Sequence, residues 1–377
     1  MRKARHVASV TLILLLVTCG FCFAQAQQAK TERVFPGKQW ERIEKPESIG
    51  YSSARLNALR AWLESIDTTA MMVSVRGRSL FEYGDLSHLS YLASVRKSLL
   101  AILYGKYVEN GTIDLRKTLR EMGLTDHGGL LEIEQGATIE NLITARSGVY
   151  HEASNLGDSL GSAPPRGSQR PGTYYLYSNW DFNAAGAAFE KLTGHDIYDA
   201  LQMDLAGPVG MQDFDRARQN KTGDLKKSAF PAYHMWLSTR DMARVGLLML
   251  RQGEWDGKQV ASRDWVRRIT SLVTPLHDMN PPSHRALGRS SRWGYGYMWW
   301  VWDAPGSSGP FAGSFTGMGA GGQFITVLPS LDMVIAHKTD TSQPSPHARE
   351  KRGRALSADE YHAILHLLIA ARCSGPC

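Results

Sequence analysis

Apolar residues recur at helical spacing in SARLNALRAWLESI (53–66), which places Leu56, Leu59, Trp62 and Leu63 on one face. The period then shortens to two: MMVSV, RGRS and LFEYGD predict a β-hairpin over residues 71–85. From Ser94 the helical period returns, with Leu99, Leu100, Leu103 and Tyr107 on the apolar face and a stop near Asn110-Gly111. Thr138 to Ala145 reads as a second short helix. Residues 150–178 are rich in Gly, Ser and Pro and read as a long surface loop, a feature that often carries function in a compact domain. FNAAGAAFEKLTG is helical with Gly194 as its C-cap. Ser238, with Asp241 three residues on, resembles a capping box for a helix through Leu250 that stops near Gly253. The last third is strand-like in YGYMWWVW, QFITVLP and LDMVIAHK, and Ser357 with Glu360 caps a final helix, YHAILHLLIAAR. Helix and hairpin first, a helical middle, then strands and one helix: this order predicts an α+β fold, an antiparallel sheet flanked by helices with an inserted, mostly helical lobe.

Composition narrows the setting. The chain has 377 residues, 43% of them hydrophobic, enough for one large domain with two lobes. Arg2, Lys3 and Arg5, the apolar run VASVTLILLLV and Ala24-Gln25-Ala26 form the pattern of a secretory signal over residues 1–26, followed by a polar lead-in over 27–44. That run is shorter than the roughly 20 residues a spanning helix needs, and no later stretch is longer. The expectation is an exported protein, periplasmic or extracellular, with no membrane span once the signal is removed. Cys373 and Cys377 could then close a small CSGPC ring, too little to be a disulfide scaffold. The formal charge of +7 includes the three cations of the signal and forms no basic stripe, so no nucleic-acid partner is expected. No His and Glu spacing suggests a zinc helix, so no metal is expected.

GMGAGGQF (317–324) fits G-x-G-x-x-G, but a dinucleotide loop should open a helix. QFITVLP is strand-like instead, so no cofactor is expected, and the glycines are read as letting a sheet edge pass close to a substrate. ASVRKSLL carries the chain's only S-x-x-K, which sets Ser94 and Lys97 on one helix face. A serine hydroxyl needs a base to become a nucleophile, and a buried lysine can be that base. The helix N-terminus adds N–H groups and positive potential where an oxyanion would form. LYSNWDF carries the only Y-x-N: Tyr177 could relay a proton, and Asn179 could hold Lys97 by its amide oxygen.

Together Ser94-x-x-Lys97 and Tyr177-Ser178-Asn179 resemble the penicillin-recognising serine hydrolase superfamily, in its class C β-lactamase-like branch of esterases, D-amino acid peptidases and 6-aminohexanoate-dimer hydrolases. LITARSGVYH, DIYDALQMDLAGPVGMQDF, WLSTRDMARVGLLML and WGYGYMWW are similar to that branch too. The resemblance spans residues 45–372, taken as the hydrolase domain, with 373–377 as a tail. It implies a β-lactamase/transpeptidase-like fold, Ser94 as acylated nucleophile, Lys97 as its proton partner, Tyr177 as general acid or base, and Asn179 as support for Lys97. The family's third motif, K-T-G or H-x-G, is where the chain departs. Lys221-Thr222-Gly223 lies in a polar stretch read as a surface loop, and Lys338-Thr339-Asp340 lacks the glycine. Gly317-Met318-Gly319 aligns better, which makes the N–H groups of Ser94 and Ala320 the implied oxyanion hole and leaves the motif without a cation. That loss argues for small ester, amide or short peptide substrates lacking an anionic group there. His151, His234 and Trp236 fall where relatives line the pocket; Trp299, Trp300 and Trp302 are read as sheet packing first and pocket wall second. The reading is a secreted serine hydrolase acting on an amide or ester. Its alternatives are a β-lactamase or D,D-peptidase and a non-catalytic binding protein of the same fold.

Overall fold

The computed structural model describes residues 33–280, 292–304, 308–340, 355–375 and Cys377. The expected signal over 1–26 and the lead-in through residue 32 lie outside the described residues. Among the described residues the strands are β1 (Ala70–Val75), β2 (Arg78–Gly84), β3 (Ser90–Tyr91), β4 (Asn220–Thr222), β5 (Ala232–His234), β6 (Trp236–Leu237), β7 (Glu254–Trp255), β8 (Lys258–Gln259), β9 (Trp293–Tyr295), β10 (Trp300–Trp302), β11 (Phe315–Gly319), β12 (Gln323–Leu328) and β13 (Met333–Lys338). The helices are α1 (Ser53–Leu63), α2 (Val95–Glu109), α3 (Leu119–Met122), α4 (Ile139–Ile143), α5 (Asn179–Thr193), α6 (Ile197–Leu201), α7 (Thr239–Leu250), α8 (Arg263–Ile269) and α9 (Ala358–Ala370).

The β1–β2 hairpin closes through Arg76 and Gly77, both at positive φ (55° and 81°), the twist a two-residue hairpin loop requires. It forms one edge of a seven-stranded antiparallel sheet in the order β2-β1-β13-β12-β11-β10-β9. Alternation along β12 and β13 assigns the two faces. Ile325 and Val334 face α7, whose Gly246 lets the backbones approach: a Cβ there would lie 2.3 Å from Val334 Cγ1. Phe324 and Thr326 face the other way, where Phe324 stacks on Tyr361 of α9 with ring centroids 3.6 Å apart. The reciprocal capping box of Ser357 and Glu360 starts α9, as its sequence predicts. So α1 and α9 cover one face of the sheet, while α7 and the start of α2 cover the other. Helix α2 then runs on as the buried axis of the helical lobe, against α5, α6 and α8. This is the expected α+β architecture.

Several elements differ from their sequence reading. YGYMWWVW is two strands, because Met298 takes a left-handed φ of 59° and Gly296 N donates to Trp299 O (2.8 Å), closing a turn. Trp299 thus sits in the turn, packed on Phe315, while Trp300 and Trp302 lie on β10. Helix α5 starts at Asn179, earlier than its apolar period, because Asp158 Oδ2 accepts from Asn179 N (3.2 Å) where Ser178 makes no side-chain cap. Ser238 caps α7, but its box is half-formed: the Asp241 carboxylate accepts instead from Gln212 N and Asp213 N. Lys221-Thr222-Gly223 is not all loop, since Asn220–Thr222 pairs with β5 and Lys221 is bound by Glu190 and Asp196. Glu41 and Ile43, expected in the lead-in, bond to Ser79 on the sheet edge. Cys373 and Cys377 are joined by a disulfide.

Candidate active site

Strand β3 pairs with β6, and Leu92 N continues the ladder by donating to Met235 O, so the approach to α2 is held along the 235–237 segment. Ala93 then takes φ 47°, a costly conformation for a residue with a Cβ, and turns the chain so that Ser94 stands at the helix start. One helical turn on, Lys97 is buried, with its Nζ at the junction of three side chains: 3.0 Å from Ser94 Oγ, 2.6 Å from Tyr177 Oη and 2.7 Å from Asn179 Oδ1. Asn179 Nδ2 donates to Leu156 O (2.8 Å), which fixes the amide so that its oxygen faces Lys97. Ser159 N donates to Tyr177 O, so the 156–159 loop holds both members of the Y-x-N pair. Ser94 and Tyr177 are half-buried while Lys97 and Asn179 are buried. Two half-buried hydroxyls therefore meet over an enclosed amine.

The surroundings divide the protonation states. Burial, then the nearby Arg96 charge, lowers the Lys97 amine well below the ordinary lysine range, opposed by Asp158. Lys97 Nζ also lies 4.3 Å from the Tyr177 ring centroid and 4.4 Å from that of Phe182, a largely apolar enclosure. Burial pushes the Tyr177 phenol up to about 12, against a hydrogen bond with Ser94 and the Arg96 charge, which lower it. The arrangement sets an amine that holds its proton weakly beside a phenol that keeps its own at neutral pH. Trp300 stacks on Tyr177 at 5.7 Å and 26°, so the strand tryptophan forms the wall behind the phenol.

Strand β11 closes the third side. A Cβ on Gly317 would lie 3.0 Å from Ser98 Oγ and 3.5 Å from Val95 Cγ1; one on Gly319 would lie 2.5 Å from Leu92 O and 3.1 Å from Ser94 N. These glycines let β11 reach the turn into Ser94, and the same closeness leaves no room for a side chain. Met318 alternates to the other face, and Ala320 follows at the strand end, exposed. The run continues into β12, so Gly322 opens no helix. Lys338, the other cation considered for this wall, is buried at the end of β13 and donates to Ser90 O (2.7 Å) and Leu237 O (2.6 Å).

The remaining pocket candidates separate. His234 Nδ1 lies 2.9 Å from Tyr91 Oη, and His234 and Trp236 both pack against Tyr91, beside the strand that enters Ser94. Burial, then Arg96, brings His234 down to about 4, so its ring is neutral. His151 instead has both ring nitrogens 2.9 Å from backbone carbonyls, of Glu152 and His127, and has none free for a substrate. Sequence reasoning missed Tyr91, Arg96, Leu156 and Asp158. Tyr91 and Arg96 flank Ser94 within three residues, but Leu156 and Asp158 act through backbone groups and leave no motif. Among the described residues, no group of three or more His, Cys, Asp or Glu side chains could hold a metal ion, and no helix is long and apolar enough to cross a membrane.

The Beta-lactamase family profile matches residues 63–360. A 6-aminohexanoate-dimer hydrolase from Paenarthrobacter ureafaciens is 24% identical over 330 residues, 80% of this chain and 79% of that protein. Among solved structures, a penicillin-binding protein homologue from Caulobacter crescentus superposes with a TM-score of 0.58 at 16% identity, covering 85% of this chain and 98% of its own. A beta-lactamase from Mycobacterium bovis gives 0.56 at 19%, covering 84% and 98%.

Proposed function

The chain belongs to the beta-lactamase family of serine hydrolases, and from that premise we propose that it cleaves an amide or ester bond through a Ser94 acyl-enzyme. The observation that carries this reading is the single lysine nitrogen within hydrogen-bond reach of Ser94 Oγ, Tyr177 Oη and Asn179 Oδ1. Lys97, as the free amine, takes the hydroxyl proton while Oγ attacks the carbonyl carbon. The oxyanion is met by the N–H groups of Ser94 and Ala320, brought together by the close approach of Gly319 to the nucleophile turn. Tyr177, a neutral phenol at pH 7, gives its proton to the departing nitrogen or oxygen as that bond breaks, and the Lys97 ammonium re-protonates it. Water then attacks the acyl carbon; its proton passes by the same pair, and Ser94 Oγ recovers a hydrogen as it leaves.

The substrate reading follows from β11. Gly317 and Gly319 offer no cation and no space for one, which favours substrates without a carboxylate at that wall over penicillin-like ones. Small amides, including the 6-aminohexanoate dimer of the Paenarthrobacter relative's name, and activated esters are the first compounds to test. An exported setting is supported by the Cys373–Cys377 disulfide, a bond that persists in oxidising compartments. The test is intact-mass detection of acyl adducts over a panel of esters, small amides, D-amino acid peptides and β-lactams. An adduct on Ser94 that is absent from Ser94→Ala is the expected result; comparable turnover by Ser94→Ala overturns the mechanism.

A further inference from the structure

Arg96 sits between the two catalytic residues of the helix, and its environment is not that of a structural arginine. It is 2% exposed. Its Nη2 donates to Asn183 Oδ1 at 2.9 Å, its guanidinium lies 4.1 Å above the Tyr233 ring centroid, and its Nη1 is buried without a hydrogen-bond partner among the described residues. No carboxylate pairs with it there. A buried charge without a counter-ion is costly, and a cation in the first turn of a helix also opposes the helix dipole. Arg166, by contrast, meets the buried Glu134. The cost at Arg96 is incurred at the one place where positive potential has a use, since β11 contributes no cation to the site.

We propose that Arg96 is an electrostatic positioning residue of the reaction, supplying positive potential to Lys97 and Tyr177 from the buried side of α2 without touching the substrate. This rests on the Ser94 acyl-enzyme reading. The titratable groups that feel Arg96 surround it: Lys97 on its own helix, Tyr177 before α5, Tyr198 on α6, Tyr233 and His234 on β5, and Tyr91 on β3. Asp158 is the acid that acts against it at Lys97 and Tyr177. After burial, Arg96 is the next largest influence depressing Lys97, so it favours the free amine. The same field stabilises the phenolate that Tyr177 becomes when it has given up its proton.

The test follows Ser94 acylation by an activated ester against pH, by intact mass, in the full-length enzyme. For Arg96→Met the acid limb of the rate profile should move up by about one pH unit or more, costing about tenfold at pH values on that limb and recovering at alkaline pH. Arg96→Lys should stay near wild type. Asn183→Asp keeps the arginine but pairs it with a carboxylate, and should shift the limb in the same direction as Arg96→Met. Should Arg96→Met not fold, the Asn183→Asp shift decides. An unshifted limb in the folded variants, whether or not the overall rate falls, overturns the role of Arg96 while leaving the acyl-enzyme intact. No labelling of wild-type Ser94 overturns both.

Discussion

Two lysines are buried to the same degree in this molecule, one at the start of α2 and one at the end of β13. Lys97 and Lys338 are each 1% exposed, and burial is the leading cause that depresses both amines. They differ in their partners. Lys338 donates to two backbone carbonyls, Ser90 O and Leu237 O, which are a facing pair of the β3–β6 ribbon. Carbonyls accept but cannot exchange a proton, and a neutral amine has two N–H groups to give them. Lys97 faces two hydroxyls and an amide oxygen, so in the proposed mechanism its lone pair has a proton to take and another to return. Burial makes an amine available as a base; only the partners make it one. Lys338 still serves the site, by tying the strand that enters Ser94 to the strand that follows His234.

The comparison breaks most visibly at Lys97. Lys97→Met keeps the volume and removes the amine, and residues that act as a unit fail together, so turnover should fall at least about a thousandfold, as for Ser94→Ala. The thermal midpoint should not fall with it. Lys338→Met, assayed below its melting temperature, should keep its rate within about threefold, the misplacement of β3 being its only route to the chemistry. A thousandfold loss in Lys338→Met, or a mild one in Lys97→Met, would erase the distinction. Asn179→Ala is intermediate: it frees Lys97 to leave its position, and about 10- to 100-fold in rate is expected.

Stability against pH sharpens the same contrast. Lys338 is brought down to about 7 in the fold, by burial and against Asp340, while an unfolded lysine titrates near about 10.4. Between those values the unfolded chain binds more protons, so stability rises with pH across the window, at up to about 1.4 kcal/mol per pH unit for this group. Denaturant unfolding of Lys338→Met between pH 7 and 10 should show a flatter slope than wild type. An unchanged slope would mean that Lys338 keeps its charge in the fold.

How much of this could be read from the sequence follows from the range of each contact. Ser94 with Lys97, and Tyr177 with Asn179, are three and two residues apart, so helix and turn geometry alone bring out each pair. That Asn179 could hold Lys97 was open from the residues alone, but bringing Ser94 and Tyr177 to the same nitrogen required the likeness to a known family. The Gly317–Gly319 wall was legible as a strand with small residues, but not its reason, the 2.5 Å that a Gly319 Cβ would leave to Leu92 O. Asp158 capping α5 and Leu156 orienting Asn179 join a loop to a helix more than 20 residues away in sequence, and neither leaves a periodic trace. His151 shows the reverse: its position suggests a pocket, yet the carbonyls of His127 and Glu152 hold its nitrogens.

His234 supplies the smallest expected effect and the finest test of the rule. Its ring is neutral, and its partner Tyr91 Oη, unlike a carbonyl, does carry a proton. By partner chemistry alone the Tyr91–His234 pair should transfer protons. Neither residue, however, has a hydrogen bond to Ser94, Lys97 or Tyr177 among the described residues, so the pair is not directly bonded to the proposed reacting groups. With Tyr91 donating to Nδ1, the ring proton sits on Nε2, on a ring packed against Trp236. Tyr91→Phe should therefore change KM by about two- to fivefold, the scale of one hydrogen bond to a neutral group, and leave kcat and its pH profile in place. A shifted kcat profile would show that His234 takes part in proton transfer, and that the rule must count connection to Ser94 through water as well as direct bonds.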